Sequence, residues 1–278
     1  AKCRLFRDLT PPGAPAVIYV DVPHAEAVVA EARAQNLRLI RVGNGKDADI
    51  RLCERQIHGA GQNLRLRWAG REFSVRLPLV GAFQAANALV AAGLAIGLGE
   101  DPDAVFAALC HLEGAPGRLE KVALAPTGAP IFVDYAHTPD ALENVLTAMR
   151  PHVAGRLIVV FGCGGDRDPG KRPVMGQVAA RLGDVVIVTD DNPRSEDAGQ
   201  IRSQVREGCP AALEIADRAE AIAQAIKLLQ PEDALIIAGK GHERGQIIGE
   251  QIRPFSDHEV ARSSARQSGG TIVGMGAS

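Results

Sequence analysis

Ile131-Phe132-Val133-Asp134-Tyr135-Ala136-His137-Thr138-Pro139-Asp140-Ala141-Leu142 is the stretch that decides the fold. Its first three residues are a short apolar run of the kind that fills a parallel sheet, and Pro139 with Asp140 opens a helix with proline and acid in its first turn. Between strand and helix stand an acid, a phenol, an imidazole and a hydroxyl. Open α/β sheets bind ligands at such turns. Taken alone, an ordinary strand-to-helix loop with a capping residue is the simpler reading. Two further loops overturn it, Gly162 to Arg172 and Thr189 to Arg194, because each also follows a buried run and carries charge.

Working outward, strands at Ile131 to Asp134, Leu157 to Phe161, Val185 to Thr189, Leu213 to Ile215 and Leu235 to Ala238 alternate with helices. That rhythm predicts a doubly wound, largely parallel sheet. Upstream, Ala16 to Val20 reads as a strand, Ala25 to Gln35 as a helix and Leu37 to Val42 as a strand. Leu64 to Trp68 and Glu72 to Leu77 alternate around Ala69-Gly70-Arg71, which predicts a β-hairpin. An alanine-rich helix runs from Ala82 to Ile96 and ends at Gly97, and a second spans Asp103 to Leu112. The small-residue stretch Gly114-Ala115-Pro116-Gly117 marks a domain boundary.

With 278 residues, 46% of them hydrophobic, the chain supplies cores for two domains. Aromatics are only 4%, so aliphatic side chains do the packing. A net charge of -2 gives no basic field for nucleic acid. The five cysteines are scattered without a C-x-x-C pair, which suits a reducing, cytoplasmic setting. No apolar run is long enough to insert in a membrane, and no signal peptide is evident.

Four motifs carry a family resemblance: DYAHTPDAL from Asp134, FGCGGDRDPGKRP from Phe161, TDDNPR from Thr189 and AGKGHE from Ala238. In this order, each after a strand, they resemble the C-terminal domain of the Mur ligases, which add amino acids to the peptide of bacterial cell-wall precursors. The resemblance runs from about Lys2 to Arg262 and is nearest the members that use meso-diaminopimelate. It implies an α/β protein in which residues 1–116 are the remainder of an ATP-binding central domain and residues 117–278 a Rossmann-like, doubly wound C-terminal domain that binds the amino acid. The glycine-rich G-x-x-x-x-G-K-S/T loop of the family has no counterpart here. Gly165 to Arg172 has the glycine and lysine spacing but ends in arginine, and its two aspartates would repel phosphate. On this reading the chain begins inside the ATP-binding domain and is inactive alone.

The resemblance also implies roles. Lys2 matches the lysine that becomes carbamylated and holds Mg2+ near the ATP γ-phosphate, a metal and catalytic role; carbamylation turns a cation into an oxygen ligand for a hard metal. Gly81 to Asn87 resembles a segment whose asparagines sit near the nucleotide, which carries over Asn87, while Gln84 departs from it; without the family, both read as helix caps. Arg118 matches an arginine that reaches the phosphates; the alternative is a salt bridge to Glu120. Asp134 falls to the ribose and His137 to the base or phosphates, with a general-base role for His137 also open. Lys171 is a nucleotide or loop-ordering contact. Arg167, Asp191, Asn192, Arg194, Gly239 and Glu243 converge on diaminopimelate, with Arg194 as the cation for its distal carboxylate. The implied reaction is ATP-dependent ligation of meso-diaminopimelate to a UDP-linked muramoyl dipeptide by a monomer. Two alternatives stay open: a Mur-type ligase for another amino acid, and a non-catalytic, truncated amino-acid-binding module.

Overall fold

The computed structural model describes residues 3–59 and 61–273. The chain divides into two compact units, Ala1–Glu113 and Gly114–Ser278.

The first unit contains β1 (Pro15–Tyr19), α1 (Ala25–Ala34), β2 (Arg38–Gly43), β3 (Ile50–His58), β4 (Gly61–Trp68), β5 (Arg71–Leu77), α2 (Ala82–Leu98) and α3 (Pro102–Ala108). Its five strands pair in chain order. β1, β2 and β3 are parallel, and β3, β4 and β5 antiparallel. The hairpin predicted around Ala69-Gly70 is present, and both residues take positive φ, 47° and 79°. Such angles match the twist of two-residue hairpins. β3 was not legible: of its nine residues only Ile50 is buried, so backbone pairing rather than alternation makes it a strand. α2 also corrects an expectation, because it runs through Gly97 to Leu98, and Gly99 at φ 107° ends it. Gly97 serves packing: a Cβ there would lie 2.9 Å from Pro15 Cβ, so the glycine lets α2 lie close on β1.

The second unit contains β6 (Glu120–Leu124), β7 (Pro130–Asp134), α4 (Pro139–Met149), β8 (Leu157–Phe161), α5 (Lys171–Leu182), β9 (Val185–Val188), α6 (Ala198–Arg206) and β10 (Leu213–Glu214). α7 (Arg218–Leu228), β11 (Ala234–Ala238), β12 (Gly245–Ile248), β13 (Gln251–Pro254), α8 (Asp257–Gln267) and β14 (Thr271–Ile272) complete it. Seven strands form one sheet in the order β10-β9-β8-β11-β7-β6-β14. The first five are mutually parallel, and β6 and β14 are antiparallel additions. β8 and β11 are buried along their whole length, as strands covered on both faces must be.

The chain steps from β7 past one position to β8, moves outward through β9 and β10, and returns through α7 to place β11 between β8 and β7. Right-handed crossovers therefore put α4, α5 and α6 on one face and α7 and α8 on the other. The contacts agree: α5 packs on both α4 and α6, and α7 on α8. The winding reverses at β8, β11 and β7. Their carboxyl ends, with that of β9, form the crevice where such folds place ligands.

Candidate functional site

After β7, Asp134 is 5% exposed, and its two carboxylate oxygens accept the amides of Leu119 and Ala136, each at 2.7 Å. Burial pushes its carboxyl above the ordinary value, against the pull of those amides and of Arg118. The side chain thus pins the Arg118-Leu119 turn to the turn that follows β7. The Arg118 guanidinium carbon lies 4.8 Å from the centre of the Tyr135 ring, within cation–π range. Tyr135 also meets the rings of His137 and His242, with centroids 4.7 and 5.5 Å away. His137 is exposed, and its Nδ1 lies 2.9 Å from the Tyr135 carbonyl. A carbonyl only accepts, so Nδ1 carries the proton and Nε2 is the free acceptor in the neutral ring. Glu120 pairs with His258 at 2.6 Å and Arg262 at 3.3 Å, and accepts the Gly117 amide.

After β8, the loop up to Gly170 hands over to α5 at Lys171. Lys171 Nζ donates to the His137 carbonyl at 2.9 Å, joining the loops after β7 and β8. Arg172, the residue that breaks the phosphate-loop pattern, is 1% exposed and donates to Glu196, Gln204 and the Gly164 carbonyl. It is a strut, which explains why the spacing here is a coincidence. Burial pushes the Cys163 thiol up to about 12, so it packs rather than reacts. Arg167 is exposed and donates to the carbonyl of its neighbour Asp166 at 3.1 Å.

After β9 and β11 lies the densest network. Asn192 is buried; its Oδ1 accepts from Lys240 Nζ at 2.9 Å and the Ile247 amide at 3.0 Å, and its Nδ2 donates to Glu243 Oε2 at 3.0 Å. Lys240 Nζ reaches the same Glu243 oxygen at 3.0 Å. Burial works against ionisation of Glu243, but the bonds from Lys240 and Asn192 outweigh it and hold its carboxyl below the ordinary value. Asp191 accepts its neighbour's amide through Oδ1, whereas its buried Oδ2 has no hydrogen-bond partner among the described residues and faces Arg218 Nη1 at 3.9 Å. Arg194 stands at φ 51°, and its Nη1 donates to the Gly165 carbonyl at 2.8 Å. Its backbone bonds to Ile247 and Gly249 dock the β12–β13 hairpin beside the loop. Gly239 is required at φ 121°, where a Cβ would lie 2.7 Å from Asp191 Oδ2.

Arg167, Asp191, Asn192, Arg194, Gly239 and Glu243 therefore come from three adjacent loops of one unit. Sequence reasoning missed Lys240, Arg218, Arg172 and His242. A lysine or arginine ordinarily reads as solvated, and the burial of Lys240, Arg218 and Arg172 was invisible before the chain was assembled; His242 is exposed, and only its approach to the Tyr135 ring marks it.

In the first unit, Lys2 lies outside the described residues. Asn87 is exposed and Gln84 buried, both within α2. Neither caps the helix, whose N-cap is Gly81 at φ 94° with no side-chain bond. A cavity of about 320 Å³ lies beside the start of this helix, lined by Tyr19, Arg51, Glu54, Arg55, Ala82 and Ala86 among others.

Two family descriptions match the chain: "Mur ligase middle domain" over residues 1–95 and "Mur ligase, glutamate ligase domain" over residues 117–241. A curated relative, the UDP-N-acetylmuramoyl-L-alanyl-D-glutamate--2,6-diaminopimelate ligase of Bradyrhizobium diazoefficiens, is 54% identical over 267 residues, covering 95% of this chain and 55% of the relative. The chain thus spans about half the length of the curated relatives it matches. A solved ligase of the same description superposes with a TM-score of 0.71 at 36% identity, covering 96% of this chain and 56% of the other. Folylpolyglutamate synthase from Mycobacterium tuberculosis, solved with ADP and AMPPCP, gives 0.66 at 25% identity, covering 86% and 55%. With both domain descriptions matched in order, and relatives similar along nearly all of its length, the chain belongs to the Mur ligase family.

Proposed function

We propose that the protein carrying this chain is an ATP-dependent ligase that joins meso-diaminopimelate to UDP-N-acetylmuramoyl-L-alanyl-D-glutamate in the cytoplasm, as a monomer. Residues 1–116 supply part of its ATP-binding domain and residues 117–278 its amino-acid-binding domain. The observation that supports the reading most is the Asn192, Lys240, Glu243 and Arg194 network at neighbouring strand ends, which offers an acceptor for an ammonium and a cation for a carboxylate in one place.

Each amino acid head of diaminopimelate carries an ammonium and a carboxylate. Glu243 and Asp191 accept from nitrogen, while Arg194 and Arg167 receive carboxylate oxygens; only arginine offers a planar, permanently charged fork for that task. Arg118, braced on Tyr135, faces the phosphates, with Asp134 holding its turn toward the ribose. His137 presents Nε2 as an acceptor for the base or, as a general base, for a proton, and Lys171 orders its loop. This set of cations and rings fits a nucleotide. Asn87, in the first unit, is assigned a nucleotide contact by the family pattern alone. ATP supplies the phosphoryl group that makes the glutamate γ-carboxylate an electrophile; the residues of the second unit hold the attacking amine and offset charge on oxygen.

Magnesium is assigned to carbamylated Lys2 by the same pattern. Among the described residues no group of three or more His, Cys, Asp or Glu is placed to hold a metal ion. No helix among these residues is long and apolar enough to cross a membrane. The test is phosphate release by the protein at its native length, with ATP, Mg2+ and the UDP-linked dipeptide, on addition of meso-diaminopimelate. Release that depends on both acceptors is expected; release without either, or none, overturns the reading.

A further inference from the structure

Lys240 sits between two glycines in the loop after β11, and its side chain has no exposed surface. Lysine is almost never fully buried unless paired, because its ammonium gives up hydration that only strong acceptors replace. Here the acceptors are Asn192 Oδ1 at 2.9 Å and Glu243 Oε2 at 3.0 Å, both residues read above as amino-acid ligands.

The geometry leaves the network one arrangement. Asn192 Oδ1 receives Lys240 and the Ile247 amide together, so the amide cannot flip without placing its NH2 group against two donors. Its Nδ2 must then point at Glu243 Oε2. That oxygen is taken by two donors, which turns the carboxylate so that Oε1 is the oxygen through which it can accept from a ligand. The charges around Glu243 are Lys240 on its own loop, Arg194 from the loop after β9 and, farther off, Arg218 from α7. Arg194 is held by the Gly165 carbonyl and cannot take the place of the buried ammonium.

We propose that Lys240 is the positioning residue of the amino-acid site, its buried ammonium locking Asn192 and Glu243 in the arrangement that receives the ammonium of an incoming diamino acid. The proposal rests on reading this site as the amino-acid site. Lys240 touches neither the reacting atoms nor the ligand; it acts through Glu243 and Asn192.

The test is Lys240→Met, which keeps an unbranched side chain one heavy atom shorter and removes its charge, in the protein at its native length. Two measurements are made. The first is the carboxyl titration of Glu243, followed by 13C NMR without substrate; the second is the KM for meso-diaminopimelate and for ATP across pH. The proposal expects Glu243 to titrate at higher pH in the variant. It also expects the diaminopimelate KM to rise roughly tenfold or more, the loss of about one charged hydrogen bond, with its acid limb displaced upward and the ATP KM unchanged. An unmoved titration overturns the proposal, as does a KM that rises equally for both substrates. If Lys240→Met does not fold, Lys240→Gln retains a donor to Asn192 and removes only the charge, and the same readings decide. Wild-type protein that shows no diaminopimelate-dependent turnover overturns the ligase reading instead, and the titration, which needs no substrate, still supports or refutes the lock.

Discussion

Arg218 and Asp257 form an ion pair in which neither side chain has any exposed surface, with Nε to Oδ1 at 2.7 Å and Nη2 to Oδ2 at 2.8 Å. The pair joins the first turn of α7 to the first turn of α8. Arg218 Nη2 also donates to the carbonyl of Ala238, the last residue of β11, and Nη1 faces Asp191 Oδ2. One buried guanidinium thus supports the loops that carry Asp191 and Gly239.

Asp257→Ala should consequently be among the most damaging single changes in the second unit. It strands a fully buried cation, and breaking a buried pair from one side costs roughly 3 to 5 kcal/mol. Asp103→Ala, which removes a partner of the exposed Arg71, should cost far less because water replaces it. Urea denaturation of both variants measures the contrast. Similar losses would mean that Arg218 finds another partner.

Gly239→Ala should damage stability and site together. The residue would have to hold φ 121° and place a methyl 2.7 Å from Asp191 Oδ2, a strain of roughly 1 to 3 kcal/mol. Gly249→Ala is the control: its φ is 57° and open space surrounds it, so the cost is about 1 to 2 kcal/mol of backbone strain alone. Calorimetric titration with diaminopimelate, beside thermal melts, should show binding lost in the first variant and kept in the second.

Glu120 predicts a pH dependence. Burial opposes its ionisation, yet bonds from His258, the Gly117 amide and Arg262 hold its carboxyl below the ordinary 4.5. The folded state therefore releases the proton more readily than the unfolded state. The stabilisation is complete above the ordinary glutamate value and is lost as pH falls through the depressed folded value. Melting temperatures recorded from pH 7 downward should fall more steeply below about 4.5 in the wild type than in Glu120→Gln. Parallel curves would remove Glu120 from the account.

Much of the fold was legible because the buried strands of the second unit are unbroken apolar runs, such as Leu157 to Phe161, which is followed by a glycine. β3, β12, β13 and β14 were not, since they are short or largely exposed, and β6 was not because it opens on the charged Glu120 and Lys121; all owe their form to pairing with a neighbouring strand. The same division holds at the site. Arg194, Asn192 and Glu243 stand out as charged or polar residues in motif loops, whereas Lys240 and Arg172 gain meaning only from burial, a property of the assembled loops. Gly97 misled because a glycine near a helix end reads as a stop, while here it admits Pro15.

Arg194 offers the most direct test of the central claim, that these loops recognise diaminopimelate by its second carboxylate. Its Nη1 is anchored on the Gly165 carbonyl, which aims the rest of the guanidinium and makes the side chain stiff. A charged hydrogen bond is worth about 1.5 to 3 kcal/mol, or roughly tenfold or more in affinity. Titration calorimetry of the wild type and Arg194→Ala with meso-diaminopimelate and with L-lysine decides the matter. The account predicts that the wild type prefers diaminopimelate and that Arg194→Ala loses that preference while lysine binding barely changes; an equal loss for both ligands would contradict it and leave Arg194 as a brace for the loop.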